Sequence, residues 1–426
     1  MGDPAIAPVL AGHVIFRDRL DTVTNTQYST ATGYSGSPEL HEYNRGVAPV
    51  AIPENYFALE RVALGETGEF SSINQSELSN LEYRTLAFYS ANRDSLPPLD
   101  LGQDAPLPQG VYIPYQVVGG QQRLKGGIFA QGAVQQMRLR VLADRSASEH
   151  SAQFISAGFY SDCKLQMVQL QNTTERVSVY STDRSCAEGA KTLIVTEFVG
   201  NSEPAATLFY GQPGGVLYVN GPVDALGQTQ RSDRALMADR QLTIAANGNI
   251  KIDKDLTYED ANFVQVAPNG TILSIPALDP LQANVQSEIE EESKTILGLI
   301  STSGRVFLKC QTTTCADPIL DAPVNINLHA AIFAASSSNI TCPAPSNSGM
   351  SGCGFGFEGM LNVPSQNVAN KGMIKFLGAM TEYRNFAVGL GSEGYKRRYR
   401  FDTRLRTLTP PFFPVSDVTN ASVNIT

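Results

Sequence analysis

Along residues 242–256, Leu-Thr-Ile-Ala-Ala-Asn-Gly-Asn-Ile-Lys-Ile-Asp-Lys-Asp-Leu, two short apolar stretches flank Asn247-Gly248. In Ile250-Lys251-Ile252-Asp253 apolar and polar residues alternate with a period of two, the mark of a strand with one buried face. Asn and Gly both tolerate positive φ, so this pair predicts a tight turn between two strands. Units of the same kind begin at Val216, Leu297 and Ile326. Taken with Leu242, the starts lie 26, 55 and 29 residues apart, which reads as one, two and one turns of a coil with a period in the high twenties. Periodicity in that range points to a solenoid. The predicted fold is therefore mainly β: a β-solenoid (irregular β-helix) with inserted hairpins and one or two short helices.

The rest of the pattern fits around that frame. Residues 1–105 read as a β-rich N-terminal segment with one helix, over about Ser76 to Ala91, capped by Asn74 or Ser76 with Leu78, Leu81, Tyr83 and Leu86 on its buried side. Residues 106–410 read as the solenoid, and 411–426 as a C-terminal tail. Residues 133–210 alternate over longer stretches and predict hairpins projecting from the coil. Asp279 to Lys294 is expected to be an acidic, partly helical insertion, and Ala335 to Gly354 a surface loop pinned by cysteines. Pro410-Pro411 ends the regular part, because proline cannot donate into a ladder.

Composition narrows the class. Hydrophobic residues make up 42% and charged residues only 17%, so the surface must be covered largely by Ser, Thr, Asn, Gln and Gly, as in secreted β-proteins. No apolar run is long enough to span a membrane. The start Met1-Gly2-Asp3 reads as artificial, so an export signal or anchor is expected to have preceded it. The six cysteines fall into sequence-close pairs, Cys163 with Cys186, Cys310 with Cys315 and Cys342 with Cys353. Fifteen connectivities are open, and neighbour pairing is a preference among them. Disulfides imply an extracytoplasmic location. No Cys-x-x-Cys and no His at ligand spacing argue for a metal, and no motif calls for a cofactor.

The net charge of −9 is unevenly spread. Residues 371–406 hold nine bases and three acids, a local charge of +6 against −15 for the remainder. Within them, Tyr395-Lys396-Arg397-Arg398-Tyr399-Arg400-Phe401 interleaves cations with aromatics, the combination that phosphate contact and base stacking use. Lys396, Arg397, Arg398, Arg400 and Arg404 are the leading DNA-contact candidates, and Lys125 and Lys251 weaker ones. The plainer reading is an Arg-rich strand that neutralises acidic neighbours, and alternation along the strand would split Arg397 from Lys396, Arg398 and Arg400. Asp253 and Asp255, with Lys251 beside them, resemble the outer-groove carboxylates of solenoid lyases and glycosidases, although outward charges on a solenoid strand also serve solubility. Lys254 falls on the nominally buried side. His329 lies in a strand and reads as a core or surface residue. Asn220, Asn247 and Asn249 read as an inward ladder or plain turns.

The ordered set Gly110-Val111-Tyr112-Ile113-Pro114, Leu124-Lys125-Gly126-Gly127-Ile128-Phe129-Ala130-Gln131-Gly132, Val216–Gly221, Leu242–Ile250, Leu297–Thr302, Gly394–Leu405 and Pro410–Pro414 resembles bacterial type IV pilus-associated, minor pilin-like proteins that carry a large β-solenoid. That resemblance covers about residues 105–414. It implies a non-enzymatic protein at the cell surface, a tip or surface receptor for double-stranded DNA in natural competence, with other pilins of the fibre as partners. It also implies that the tail after residue 410 leads back to a pilin-like part. Membrane attachment would come only through an N-terminal helix missing from this chain. The alternatives are an adhesin or structural surface protein contacting polysaccharide or a partner pilin, and a solenoid lyase or glycosidase.

Overall fold

The computed structural model describes residues 57–65, 81–85, 109–143, 148–159, 163–173, 175–183, 185–186, 189–198, 204–267, 272–277, 279–312, 324–334, 354–359, 370–382, 388–390 and 393–413, together with the backbone of four short strands before residue 46. Those four, β1 (Val9–Leu10), β2 (Phe16–Thr22), β3 (Ser29–Thr30) and β4 (Leu40–Arg45), form two parallel pairs, β1 with β3 and β2 with β4. Helix α1 (Phe57–Ala63) follows, then β5 (Leu81–Thr85), which runs antiparallel to β6 (Gly110–Val118). The helix expected over residues 76–91 is thus replaced at its centre by a strand. The other positions of that stretch lie outside the described residues.

From β6 the chain turns into β7 (Gln121–Leu124) and enters the first coil, β8 (Ile128–Gln131) and β9 (Gln136–Leu142). A module of α2 (Ser151–Ser156), β10 (Leu165–Gln171), β11 (Glu175–Thr182), β12 (Lys191–Phe198) and β13 (Ala205–Tyr210) then extends β9 as an antiparallel sheet, as the hairpin pattern predicts. Coils resume with β14 (Val216–Asn220) and β15 (Val223–Gln228), then β16 (Gln241–Ala246) and β17 (Ile250–Ile252). Next comes an inserted antiparallel sheet, β18 (Asn262–Val266), β19 (Ile272–Pro276) and β20 (Val285–Glu288). Coils continue with β21 (Ile296–Ser301) and β22 (Val306–Leu308), and with β23 (Ile326–Ala334) and β24 (Phe355–Phe357). The last strands are β25 (Asn370–Glu382), β26 (Gly389–Leu390) and β27 (Glu393–Phe401).

Two parallel sheets result. The first runs β8–β14–β16–β21–β23–β25–β27 and the second β9–β15–β17–β22–β24. This is a β-solenoid-like fold, as expected, with two corrections to its detail. Leu242 pairs directly with Leu297, so the 55-residue step is one coil and not two. The extra length is the insertion of residues 253–295. Its segment Asp279 to Lys294 holds turns and β20 rather than helix.

Side chains stack in register between the sheets. Ile128, Leu217, Ile244, Leu299 and Ile332 are successive ladder partners in the first sheet, and Val223, Ile250, Val306 and Phe355 in the second; all are buried. The corner between the sheets is set by glycines that also stack. A Cβ on Gly221 would meet the backbone of Gly132 at 2.7 Å, and one on Gly304 would meet that of Gly248 at 2.6 Å. Asn247-Gly248 is therefore a corner linking two sheets, and its two strands do not pair with each other. Beside it, Asn247 donates to the Asn220 carboxamide at 2.9 Å and Asn220 to Gln131 at 3.0 Å, so the asparagines form a side-chain ladder along the corner.

The outer face of the first sheet is covered in two places. Near the N-terminal end, Tyr112, Phe129, Tyr218, Ala245, Ile300 and Phe333 pack against Leu59, Ala63 and Leu64 of the α1 segment. Pro410 to Phe413 folds back there too: the Thr243 hydroxyl donates to the Pro411 carbonyl at 2.5 Å, and the Phe413 ring lies 6.1 Å from Phe333. Further along, the 253–295 insertion covers Asn327 and His329.

Candidate functional site

The last two strands of the first sheet, β25 and β27, have no facing strand of the second sheet among the described residues, because that sheet ends at β24. The face that is core in earlier coils is therefore partly open at β27. Alternation puts Glu393, Tyr395, Arg397, Tyr399 and Phe401 on that face. Tyr399 aligns with Phe376 and Leu328, both core residues, yet is 42% exposed, and Phe401 is 41% exposed. The Tyr399 ring meets Phe376 at 5.5 Å in a T-shaped contact. The Arg406 guanidinium, just past the strand on a short 3-10 turn, lies 5.9 Å from the centre of the Phe401 ring. Arg397 is exposed, with a long 3.4 Å bond to the Gly389 carbonyl.

Lys396, Arg398 and Arg400 point to the other face, so the strand does split its cations. Lys396 is exposed there. Its neighbours are engaged by the insertion. Arg398 donates to the Ala283 carbonyl, and Arg400 donates to the Ser287 carbonyl at 3.0 Å and stands 3.7 Å from Glu288. Lys375, aligned with Arg398, is buried and donates to the carbonyls of Pro280, at 2.6 Å, and Gln282. Burial, and then the charge on Arg398, bring its ammonium down to about 8. Asn325 holds the Leu281 carbonyl. Main-chain carbonyls of a tight loop converge on these cations, as in any buried backbone whose polar groups need partners.

Arg404 is a correction to the set of contact candidates. It is 4% exposed and its guanidinium is fully engaged, with Asp402 at 2.7 and 3.0 Å, Ser293 at 3.0 Å and the Thr295 carbonyl at 2.9 Å. It also sits 5.7 Å over the Tyr258 ring. Arg404 locks the end of the insertion to the solenoid and cannot reach a phosphate from there. Lys125 is exposed, but it precedes β8, six strands from β27 and so about 29 Å away. Lys251 lies on the second sheet, 3.1 Å from Glu358 and 3.9 Å from Asp224, with its ammonium over the Phe307 ring. Neither joins the β27 group.

The proposed groove carboxylates have separate partners. β17 ends at Ile252, and Asp253 forms a two-pronged pair with Arg138, both bonds 2.6 Å. Asp255 is 3% exposed and accepts from the Asn327 N–H at 3.0 Å; burial pushes its carboxyl up. With Lys251 bound to Glu358, the three do not form an open acid–base cleft. Lys254 lies beyond the end of β17, so the strand alternation does not place it inside; it is half-buried and donates to the Thr229 carbonyl at 2.8 Å. His329 is a satisfied core residue. The Tyr258 N–H donates to Nδ1 at 3.0 Å, which leaves the proton on Nε2 to reach the Ser287 hydroxyl at 2.6 Å. Burial, reinforced by Arg234 and Arg404, lowers it to about 3.

In the hairpin module Cys163 and Cys186 form the expected disulfide, with Cα atoms 5.7 Å apart. Cys310 is also disulfide-bonded. Cys315, Cys342 and Cys353 lie outside the described residues. Glu149, His150 and Glu197 each bring a potential metal-ligand atom within 4.8 Å of the others. The Arg176 guanidinium, however, bonds Glu149 at 2.9 Å and Glu197 at 2.7 Å, and the His150 nitrogens face Glu197 at 3.0 Å and the Tyr180 hydroxyl at 2.5 Å. Arg176 thus engages both carboxylates of the cluster, and His150 anchors the start of α2 to the sheet.

No family model, curated protein or solved structure matches the chain. The site therefore rests on its own geometry: exposed Arg397 and Arg406 beside exposed Tyr399 and Phe401 at the end of the solenoid, with Lys396 exposed on the opposite side of β27. Arg406 was one base among nine in the sequence and gains its place only from the turn after β27. The alternation that joins Arg397 to the two rings is readable in the sequence; the early end of the second sheet, which opens them, is not.

Proposed function

We propose that this chain is a non-catalytic, extracytoplasmic binding protein that captures DNA through the terminal strand of its solenoid, β27. The observation that carries this reading is the grouping of exposed Arg397 and Arg406 with two exposed aromatic rings on an overhanging strand and the turn after it, with exposed Lys396 on the strand's other side, in a molecule whose net charge is otherwise negative. The contact would be electrostatic, insensitive to sequence and weakened by salt. A disulfide-bearing fold suits a location outside the cytoplasm. A place on a type IV pilus-like fibre, beside other pilins, rests on the ordered motifs described above.

The test is fluorescence anisotropy with labelled DNA, comparing the unchanged chain with Lys396→Glu/Arg397→Glu. Both side chains are exposed, so the variant should fold normally. At low salt the variant is expected to lose at least tenfold in affinity. Equal binding by both proteins would remove the assignment to β27, and no binding by either would turn the search toward uncharged polysaccharide or protein ligands.

A further inference from the structure

Building on that reading, we infer that the β27 overhang is made for single-stranded rather than duplex nucleic acid, with bases stacked on Tyr399 and Phe401 and phosphates held by Arg397 and Arg406. The geometry points this way in three respects. First, the rings occupy positions i and i+2 of one strand face, so they are spaced about 6.6 Å apart. Bases in a duplex follow one another at about 3.4 Å and cover each other's faces, leaving nothing for a ring to stack on. Unpaired bases on an extended strand can be spread to the wider spacing and take one ring each.

Second, the rings are exposed for a structural reason. Tyr399 continues the ladder Leu328–Phe376 and Phe401 the ladder Ala330–Gly378, in which Leu328, Phe376 and Ala330 are core residues, and they reach solvent because, among the described residues, the second sheet stops short of them. Large apolar rings left 42% and 41% exposed beside cations are what a stacking platform requires. Third, the cations lie at the margins of the rings. Arg397 precedes Tyr399 on the same face, and Arg406 sits over Phe401 at 5.9 Å, where a guanidinium can share a ring face with a base or swing to a phosphate. Of the acids around β27, Asp402 is buried and bound by Arg404, Glu393 is only partly exposed, and Glu288 faces Arg400 on the opposite side of the strand.

The experiment uses the full chain and three labelled probes of equal length: an oligothymidine strand, a duplex, and an abasic strand of the same sugar-phosphate backbone. The oligothymidine is expected to bind at least tenfold more tightly than the other two. Tyr399→Ala and Phe401→Ala should each weaken the oligothymidine about tenfold and leave abasic binding unchanged. Tyr399→Phe should retain binding, and because the abasic comparison needs no substitution it stands even if an alanine variant unfolds. Duplex or abasic probes binding as tightly as oligothymidine would overturn the inference while leaving DNA capture through β27 intact. Binding of none of the three would overturn both.

Discussion

Arg404 and His329 carry the heaviest single-residue demands in the described structure, and both lie under the 253–295 insertion. Arg404 satisfies a buried carboxylate, a serine and two main-chain carbonyls at once. Replacing it by leucine would leave Asp402 buried and uncompensated, at a cost of about 3–5 kcal/mol. Urea unfolding should give a correspondingly lower midpoint for Arg404→Leu, and a change under 1 kcal/mol would contradict the assigned role. His329 gives a pH dependence of known sign. Its native value of about 3 lies below its ordinary 6.5. As pH falls between those values, the unfolded chain gains a proton that the native fold refuses, so stability drops with acid and is unaffected by this group above 6.5. By pH 4 the loss should reach about 3 kcal/mol. In His329→Gln the difference in unfolding free energy between pH 7 and pH 4 should shrink by that amount.

At the scale of elements, the solenoid depends on corners as much as on strands. Gly304→Ala would drive a methyl into the backbone of Gly248 and Asn249, at 2.6 and 2.7 Å. The coils would have to separate locally, at about 1–3 kcal/mol, which thermal unfolding can measure. Alanine at exposed Gly119 or Gly120 on the β6–β7 turn meets no neighbour, and since both have positive φ it should cost only the smaller backbone strain. The strands and corner glycines are legible in the sequence because the alternation at 250–253 and the glycine soon after β8, β14, β16 and β21 report directly on burial and close approach. Two features are not. Spacing alone cannot separate a skipped coil from an insertion within one, so the step from Leu242 to Leu297 is ambiguous until their pairing is known. Residues 81–85 fit a helical stripe and a strand equally well by pattern, and the choice is made by β6, distant in sequence. Candidate contacts follow the same rule. Alternation foretells the split of the β27 cations, but which cations remain exposed depends on the insertion that takes Lys375, Arg398 and Arg400.

For the molecule as a whole, the insertion and the overhang divide one basic segment between two tasks. Cations facing the insertion hold its carbonyls and stabilise the fold. Those at the strand's free face and its following turn form a small positive site on a chain of net charge −9. With the rest of the chain net acidic, a polyanion gains little away from that site, so affinity should be modest at physiological salt and salt-dependent. The most direct test is the slope of log affinity against log salt concentration for labelled oligothymidine and the full chain. Two phosphate contacts by Arg397 and Arg406 predict a slope of about −1.4, falling to about −0.7 or less in Lys396→Glu/Arg397→Glu. A flat slope, or the same slope in both proteins, would contradict capture of nucleic acid at β27.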